Sequence, residues 1–119
     1  MLIADDNDDA AESLAVLLRM EGHEVVVVAN GRDALDAVRS LRPIVVLLDI
    51  GMPDLSGYEV ARQLRQSQEG RSLTLIAVTG WGQERDKLRA LEAGFDHHFT
   101  KPIDPNILLE LVSRVDPDR

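Results

Sequence analysis

"PIVVLLDIGMPDLSGYE", residues 43–59, sets a run of apolar residues, Ile44–Leu48, directly against a charge, Asp49. Gly51 and Pro53 follow at once. A continuous β-branched run suits a strand covered on both faces, as in a parallel sheet. Open parallel sheets gather their chemistry at the carboxyl ends of the strands, near the switch in strand order. An aspartate at the end of such a run is therefore a candidate functional group.

Working outward, similar runs occur at Leu2–Ala4, Val25–Val28 and Leu73–Val78, with a weaker one at His97–Thr100. Helical spacing separates them. Leu14, Leu17 and Leu18 precede Gly22, a natural C-terminal stop. Ala34, Leu35, Val38 and Leu41 follow Asn30, a capping residue. Val60, Ala61 and Leu64 follow Ser56 and Glu59, which fit a capping box. Leu88 and Leu91 precede Gly94, and Ile107, Leu108, Leu111, Val112 and Val115 follow Asp104 as cap and Pro105 at the first helical position. The pattern predicts a (βα)5 α/β fold: a doubly wound, flavodoxin-like, five-stranded parallel sheet of order 2-1-3-4-5 with right-handed crossovers.

The bulk numbers bound the function. A chain of 119 residues, 45% hydrophobic, is enough for one domain, residues 1–119. The abrupt start and the polar, proline-broken end suggest a unit cut from a longer chain. Without cysteine, disulfides and thiolate metal sites are excluded. A net charge of −8 argues against nucleic acid as a direct partner. No run approaches a membrane span, and "MLIADD" lacks the features of a signal peptide. A cytoplasmic domain is expected, whether or not a parent chain is membrane-anchored.

Reading the residue after each run gives Asp5 and Asp6, Asn30, Asp49, Thr79 and Lys101. Runs one and three flank the expected switch point, and both deliver carboxylates. Three close carboxylates repel one another unless a cation joins them. Mg²⁺ takes oxygen ligands and keeps open positions for phosphate oxygens. One aspartate can then act as nucleophile toward a phosphoryl group, with Lys101 and the Thr79 hydroxyl stabilising the transferred oxygens. Asp8 and Asp9, by contrast, read as helix-start residues that complement the helix dipole.

Four motifs, "LIADDN" at 2–7, "LLDIGMPDLSGYE" at 47–59, "AVTGWG" at 77–82 and "FTKP" at 99–102, together resemble the receiver domain of two-component response regulators over essentially the whole chain. The resemblance implies that Asp49 accepts phosphate from a histidine kinase or histidine phosphotransfer domain. It implies that Asp5, Asp6, Asp49 and the Gly51 backbone carbonyl hold Mg²⁺ (or Mn²⁺). Thr79 resembles the switch hydroxyl and Lys101 the phosphoryl-binding lysine. Pro53 and Gly57 shape the loop, and the Lys101–Pro102 bond is expected to be cis. The resemblance further implies that the face formed by the fourth helix, fifth strand and fifth helix meets an output domain or protein partner. Such a receiver phosphorylates and dephosphorylates itself and is not a conventional enzyme.

Three positions depart from the family pattern. His98 stands where an aromatic switch residue is usual, Gly51 lies two after the acceptor, and Trp81 lies two after the threonine. His97 and His98 point to opposite faces of a strand, so they do not chelate one ion. "AGFDHHFTKPIDP" resembles receivers attached to hybrid sensor histidine kinases. Other readings fit less well. A phosphohydrolase of the haloacid-dehalogenase type requires an acid where Gly51 stands. A flavodoxin-like cofactor binder requires a hydroxyl-rich loop where "ADDNDD" stands. An unphosphorylated docking module leaves the acidic set without a purpose, though His98 in the aromatic position keeps that reading open. "GWGQER" lacks the third glycine of a dinucleotide fingerprint.

Overall fold

The computed structural model describes residues 1–80 and 84–115, with side chains described up to residue 80 and from residue 86. Ten elements alternate along the chain. They are β1 (Leu2–Ala4), α1 (Asp8–Met20), β2 (Val26–Val28), α2 (Gly31–Leu41), β3 (Val45–Asp49), α3 (Gly57–Gln66), β4 (Thr74–Thr79), α4 (Glu84–Ala93), β5 (His97–Thr100) and α5 (Pro105–Val115). All strand pairs are parallel and the order is β2-β1-β3-β4-β5, as expected. No helix among the described residues is long and apolar enough to cross a membrane.

The strand ends differ slightly from the apolar runs. β3 and β4 start one residue later than the runs and end one residue later, so that Asp49 and Thr79 lie within the ladder. Asp49 pairs with Val78, and Thr79 with Thr100. Backbone pairing thus continues through the first polar residue. It fixes where that side chain leaves the sheet.

Strand periodicity splits the interior into two cores. Val46, Leu48, Leu75 and Ala77 pack with α2, α3 and α4 residues such as Val38, Leu64 and Ala90. Ile3, Leu47, Ile76 and Val78 pack with α1 and α5 residues such as Leu18, Leu108 and Val112. In α4 the inward residues are Ala90 and Ala93, whereas Leu88 and Leu91, which set the helical pattern in the sequence, are 56% and 66% exposed. Small residues let that helix lie close to the sheet, and its large apolar residues face outward.

Caps define the helix starts. Asn7 accepts a bond from the Ala10 amide, placing Asp8 and Asp9 in the first turn of α1. Asn30 caps α2, Ser56 caps α3, and Asp104 accepts from the Asn106 amide with Pro105 opening α5. Gly22 and Gly94 take positive φ after α1 and α4. Two anchors were not legible in the sequence. Arg65 donates to the carbonyls of Gly70, Leu73 and Gly94 and to Asp96, which also accepts from the Leu75 amide. It ties the starts of β4 and β5 together. Asp54, in the loop after β3, accepts from the Gly31 and Arg32 amides at 2.9 and 3.0 Å, capping α2 from outside.

Two predictions follow from these contacts. A Cβ on Gly57 would lie 2.8 Å from the Ile50 Cα and 2.9 Å from the Asp49 carbonyl oxygen, both backbone atoms that cannot turn aside. Alanine usually stabilises a helical glycine site by ~0.5–1 kcal/mol. Gly57→Ala should instead cost about 1–3 kcal/mol through overpacking, lowering the urea midpoint; a raised midpoint would contradict the close approach. For Asp54, the amides of Gly31 and Arg32 hold the carboxyl down from 3.8 to about 2. A depressed carboxylate pKa contributes stability above the ordinary value that is lost as pH falls through the depressed one. Wild type should therefore melt above Asp54→Ala near neutral pH, and the gap should close between about pH 4 and pH 2. A gap unchanged across that window would show that the charge is not the cause.

Candidate functional site

The carboxyl ends of β1, β3 and β5 converge. Asp5 follows β1 directly, held by its amide on the Val28 carbonyl at 3.1 Å. Asp49 closes β3, and both aspartates are only 8% exposed. Lys101 follows β5, its amide bonded to the Thr79 carbonyl at 2.8 Å. Its Nζ lies 3.2 Å from Asp49 Oδ2 and 3.5 Å from Asp5 Oδ2. Asp6, exposed, completes a group in which one oxygen from each of Asp5, Asp6 and Asp49 lies within 4.8 Å of the others.

Each carboxylate is also fixed by the backbone. Asp49 Oδ1 accepts from the Gly51 amide at 3.0 Å, and Asp5 Oδ1 from the Asn7 amide at 2.9 Å. Burial pushes the Asp5 carboxyl up, the Asn7 amide works against this, and the nearness of Asp49 adds to the rise. Burial works against the Lys101 ammonium, yet Asp49 and Asp5 together hold its pKa above the ordinary lysine value. The arrangement concentrates negative charge beside one cation and leaves the carboxylates short of positive partners. An apolar cleft of about 480 Å³, lined by Leu14, Leu17 and Ile103, opens onto Asp5, Asp49 and Lys101.

Thr79 is buried at 4% exposure but belongs to the other side of the sheet. It shares the parity of Leu75 and Ala77, whereas Asp49 shares that of Val45 and Leu47. Its Oγ1 lies 3.1 Å from His98 Nε2. His98 pairs with Ala77 on β4, so it sits diagonally from Thr79 on the same face. His97 pairs with Ile76 and faces the opposite way, as the alternation predicts. The sequence singled out His98 as a departure and did not foresee this bond, because it joins two strands through a register that only the folded sheet reveals.

The remaining expected residues fall at the rim. Gly51 and Pro53 are exposed in the loop after β3, and Gly57 is buried against the backbone of Asp49 and Ile50. The Lys101–Pro102 bond is cis. Trp81 lies outside the described residues. In α4, Lys87 and Arg89 are exposed, and the Arg89 guanidinium lies 4.3 Å over the Tyr58 ring.

The response regulator receiver domain family matches residues 1–113. The chain is 36% identical to Protein PilH of Pseudomonas aeruginosa over 115 residues, 97% of this chain and 95% of that protein. It is 38% identical to the DNA-binding response regulator MtrA of Mycobacterium tuberculosis, of which it spans 48%. The fold superposes on the chemotaxis response regulator CheY4 of Vibrio cholerae with a TM-score of 0.89 at 26% identity, covering 97% of this chain and 96% of that one. It matches the receiver domain of the Pseudomonas aeruginosa sensor histidine kinase PA1611, solved with a magnesium ion coordinated in the active site cleft, with a TM-score of 0.87 at 29% identity, covering 96% and 93%. With the family matched along nearly its whole length and the acidic ends of β1 and β3 brought together, the chain belongs to the response regulator receiver domains of two-component signalling.

Proposed function

We propose that residues 1–119 act as one receiver unit, cytoplasmic in location, that takes a phosphoryl group onto Asp49 from the phosphohistidine of a histidine kinase or histidine phosphotransfer domain. The observation that carries this reading is the pairing of two buried carboxylates, Asp5 and Asp49, across the Lys101 ammonium. An Asp49 carboxylate oxygen attacks phosphorus, the P–N bond breaks, and its electron pair returns to the donor imidazole. Asp49 is held for this by the Gly51 amide and by the β3–β4 ladder. Lys101, 3.2 Å from Asp49 Oδ2, is placed to pass from the carboxylate to a phosphoryl oxygen. The apolar cleft beside it leaves room for a donor side chain to approach.

The donor set fits a hard divalent cation, since three carboxylates lie within one coordination sphere of each other. Asp5, Asp6, Asp49 and the Gly51 carbonyl would hold Mg²⁺ or Mn²⁺, which supplies positive charge against the phosphoryl oxygens. The magnesium ion in the related PA1611 receiver supports this choice. The new charge at Asp49 then biases two arrangements of the loops and of the face built by α4, β5 and α5. Leu88, Leu91 and Ile107, all more than half exposed, give that face an apolar surface suited to an output domain or protein partner.

Intact-mass measurement after incubation with acetyl phosphate and Mg²⁺ should show one added phosphoryl group on the wild type and none on Asp49→Asn. An unlabelled wild type that still binds Mg²⁺ would remove the phosphoacceptor reading. Calorimetric titration should show Asp6→Ala binding Mg²⁺ weaker by about an order of magnitude, without a change in melting temperature, because Asp6 is exposed. Equal affinity would take Asp6 out of the ligand set.

A further inference from the structure

His98 sits on the readout face of the sheet, its Nε2 3.1 Å from the Thr79 hydroxyl, at a position where a receiver ordinarily carries an aromatic ring with no titration near neutral pH. A hydroxyl owns one hydrogen and a neutral imidazole nitrogen either donates or accepts. The direction of this bond therefore determines where the Thr79 hydrogen points. With the ring neutral and its hydrogen on Nδ1, Nε2 accepts, and the Thr79 hydrogen is spent on His98. With the ring protonated, both nitrogens carry hydrogens, Nε2 can only donate, and Thr79 must accept through its lone pair. The hydroxyl hydrogen is then released from the imidazole to bond another acceptor.

We propose that His98 is a positioning residue for phosphoryl binding: protonated, it donates to Thr79 Oγ1 and so turns the threonine hydrogen toward a phosphoryl group on Asp49. The proposal rests on the phosphoacceptor reading above and adds a proton input to it. No bond other than hydrogen bonds is made or broken. One proton comes from solvent onto His98 Nε2, the neutral ring carrying its hydrogen on Nδ1, and the positive ring sits on the same end of the sheet as the incoming negative charge.

Burial and two charged residues bear on the ring's proton. Burial comes first in holding His98 below the ordinary imidazole value. Among the described residues, Lys87 of α4 adds to this and Asp86 of α4 opposes it. The β4 side presents Thr79, and Ala77 is the backbone pairing partner. These surroundings favour the neutral ring in the unphosphorylated domain. A phosphoryl group on Asp49 supplies negative charge that favours the imidazolium. Linkage makes the two effects reciprocal: if the phosphoryl group raises the His98 pKa, protonation tightens phosphoryl binding by the same factor.

The test uses beryllofluoride with Mg²⁺ as a stable phosphoryl analogue on the whole chain. Proton–carbon NMR follows the His98 ring through a pH titration with and without the analogue. The midpoint should rise on the order of one unit when the analogue binds. Analogue affinity is then compared between wild type and His98→Gln, which keeps a polar partner for Thr79 but cannot become an imidazolium. The affinity ratio of wild type to variant should climb several-fold between about pH 8 and pH 6, toward the roughly tenfold ceiling that a one-unit shift allows. His98→Phe should show the same flat profile as His98→Gln, separating the proton from ring packing. If the analogue binds and the His98 midpoint stays put, or the ratio stays level, the proposal is overturned while the receiver reading stands. If the analogue does not bind the wild type at all, the receiver reading falls and the proposal with it.

Discussion

Everything at the working end of this domain depends on one constraint: two buried carboxylates, Asp5 and Asp49, are held beside each other and, among the described residues, share one ammonium. Lys101 bridges them at 3.5 and 3.2 Å. Bringing like charges together in a partly desolvated place is unfavourable unless something compensates. The fold compensates with backbone amides, from Asn7 to Asp5 and from Gly51 to Asp49. It leaves the remaining lone pairs facing a cleft. A structure organised only for stability would not hold two buried acids in contact across a single lysine. This one has the rest of its sheet fixed by two apolar cores, so the local cost is tolerated at the strand ends.

The fold was largely legible because its signals are local. Apolar runs repeat five times with helical spacing after each, and the helix starts expected at Asn30, Ser56 and Asp104 are present. The site was legible for the same reason: Asp5, Asp49 and Lys101 come directly after or at the end of runs, and the parallel topology brings those ends together. What escaped the sequence depends on distant partners. Arg65 and Asp54 look like ordinary surface charges until the folded chain places Gly94 and Gly31 beside them. Leu88 and Leu91 read as core residues because spacing gives a face and does not say which face the sheet takes; Ala90 and Ala93 took the inside.

The loop after β3 shows how those distant contacts serve the site. It leaves Asp49, presents Gly51 and Pro53 to solvent, and is then pinned twice. Asp54 caps α2 from outside, and Gly57 lies against the backbone of Asp49 and Ile50 with no space for a side chain. Asp49 is therefore fixed from both directions along the chain, by the ladder before it and by the packed turn after it. A loop so held joins Asp49 to α3 and α2, which flank the same core.

The alternation of strand side chains adds a division of labour. Asp5 and Asp49 share the parity of the α1–α5 core, and the cleft that Lys101 also lines opens on that side. Thr79 and His98 share the parity of the α2–α3–α4 core. Thr79 lies at the sheet end next to Asp49 and on the face that carries α4. A link between the two faces at this edge needs a side chain short enough to sit there and polar enough to choose between partners. A threonine hydroxyl has one hydrogen and can satisfy one acceptor at a time. In the structure His98 Nε2 stands 3.1 Å from that hydroxyl, so the residue that departs from the family pattern shares the threonine's face and lies within its hydrogen-bond reach.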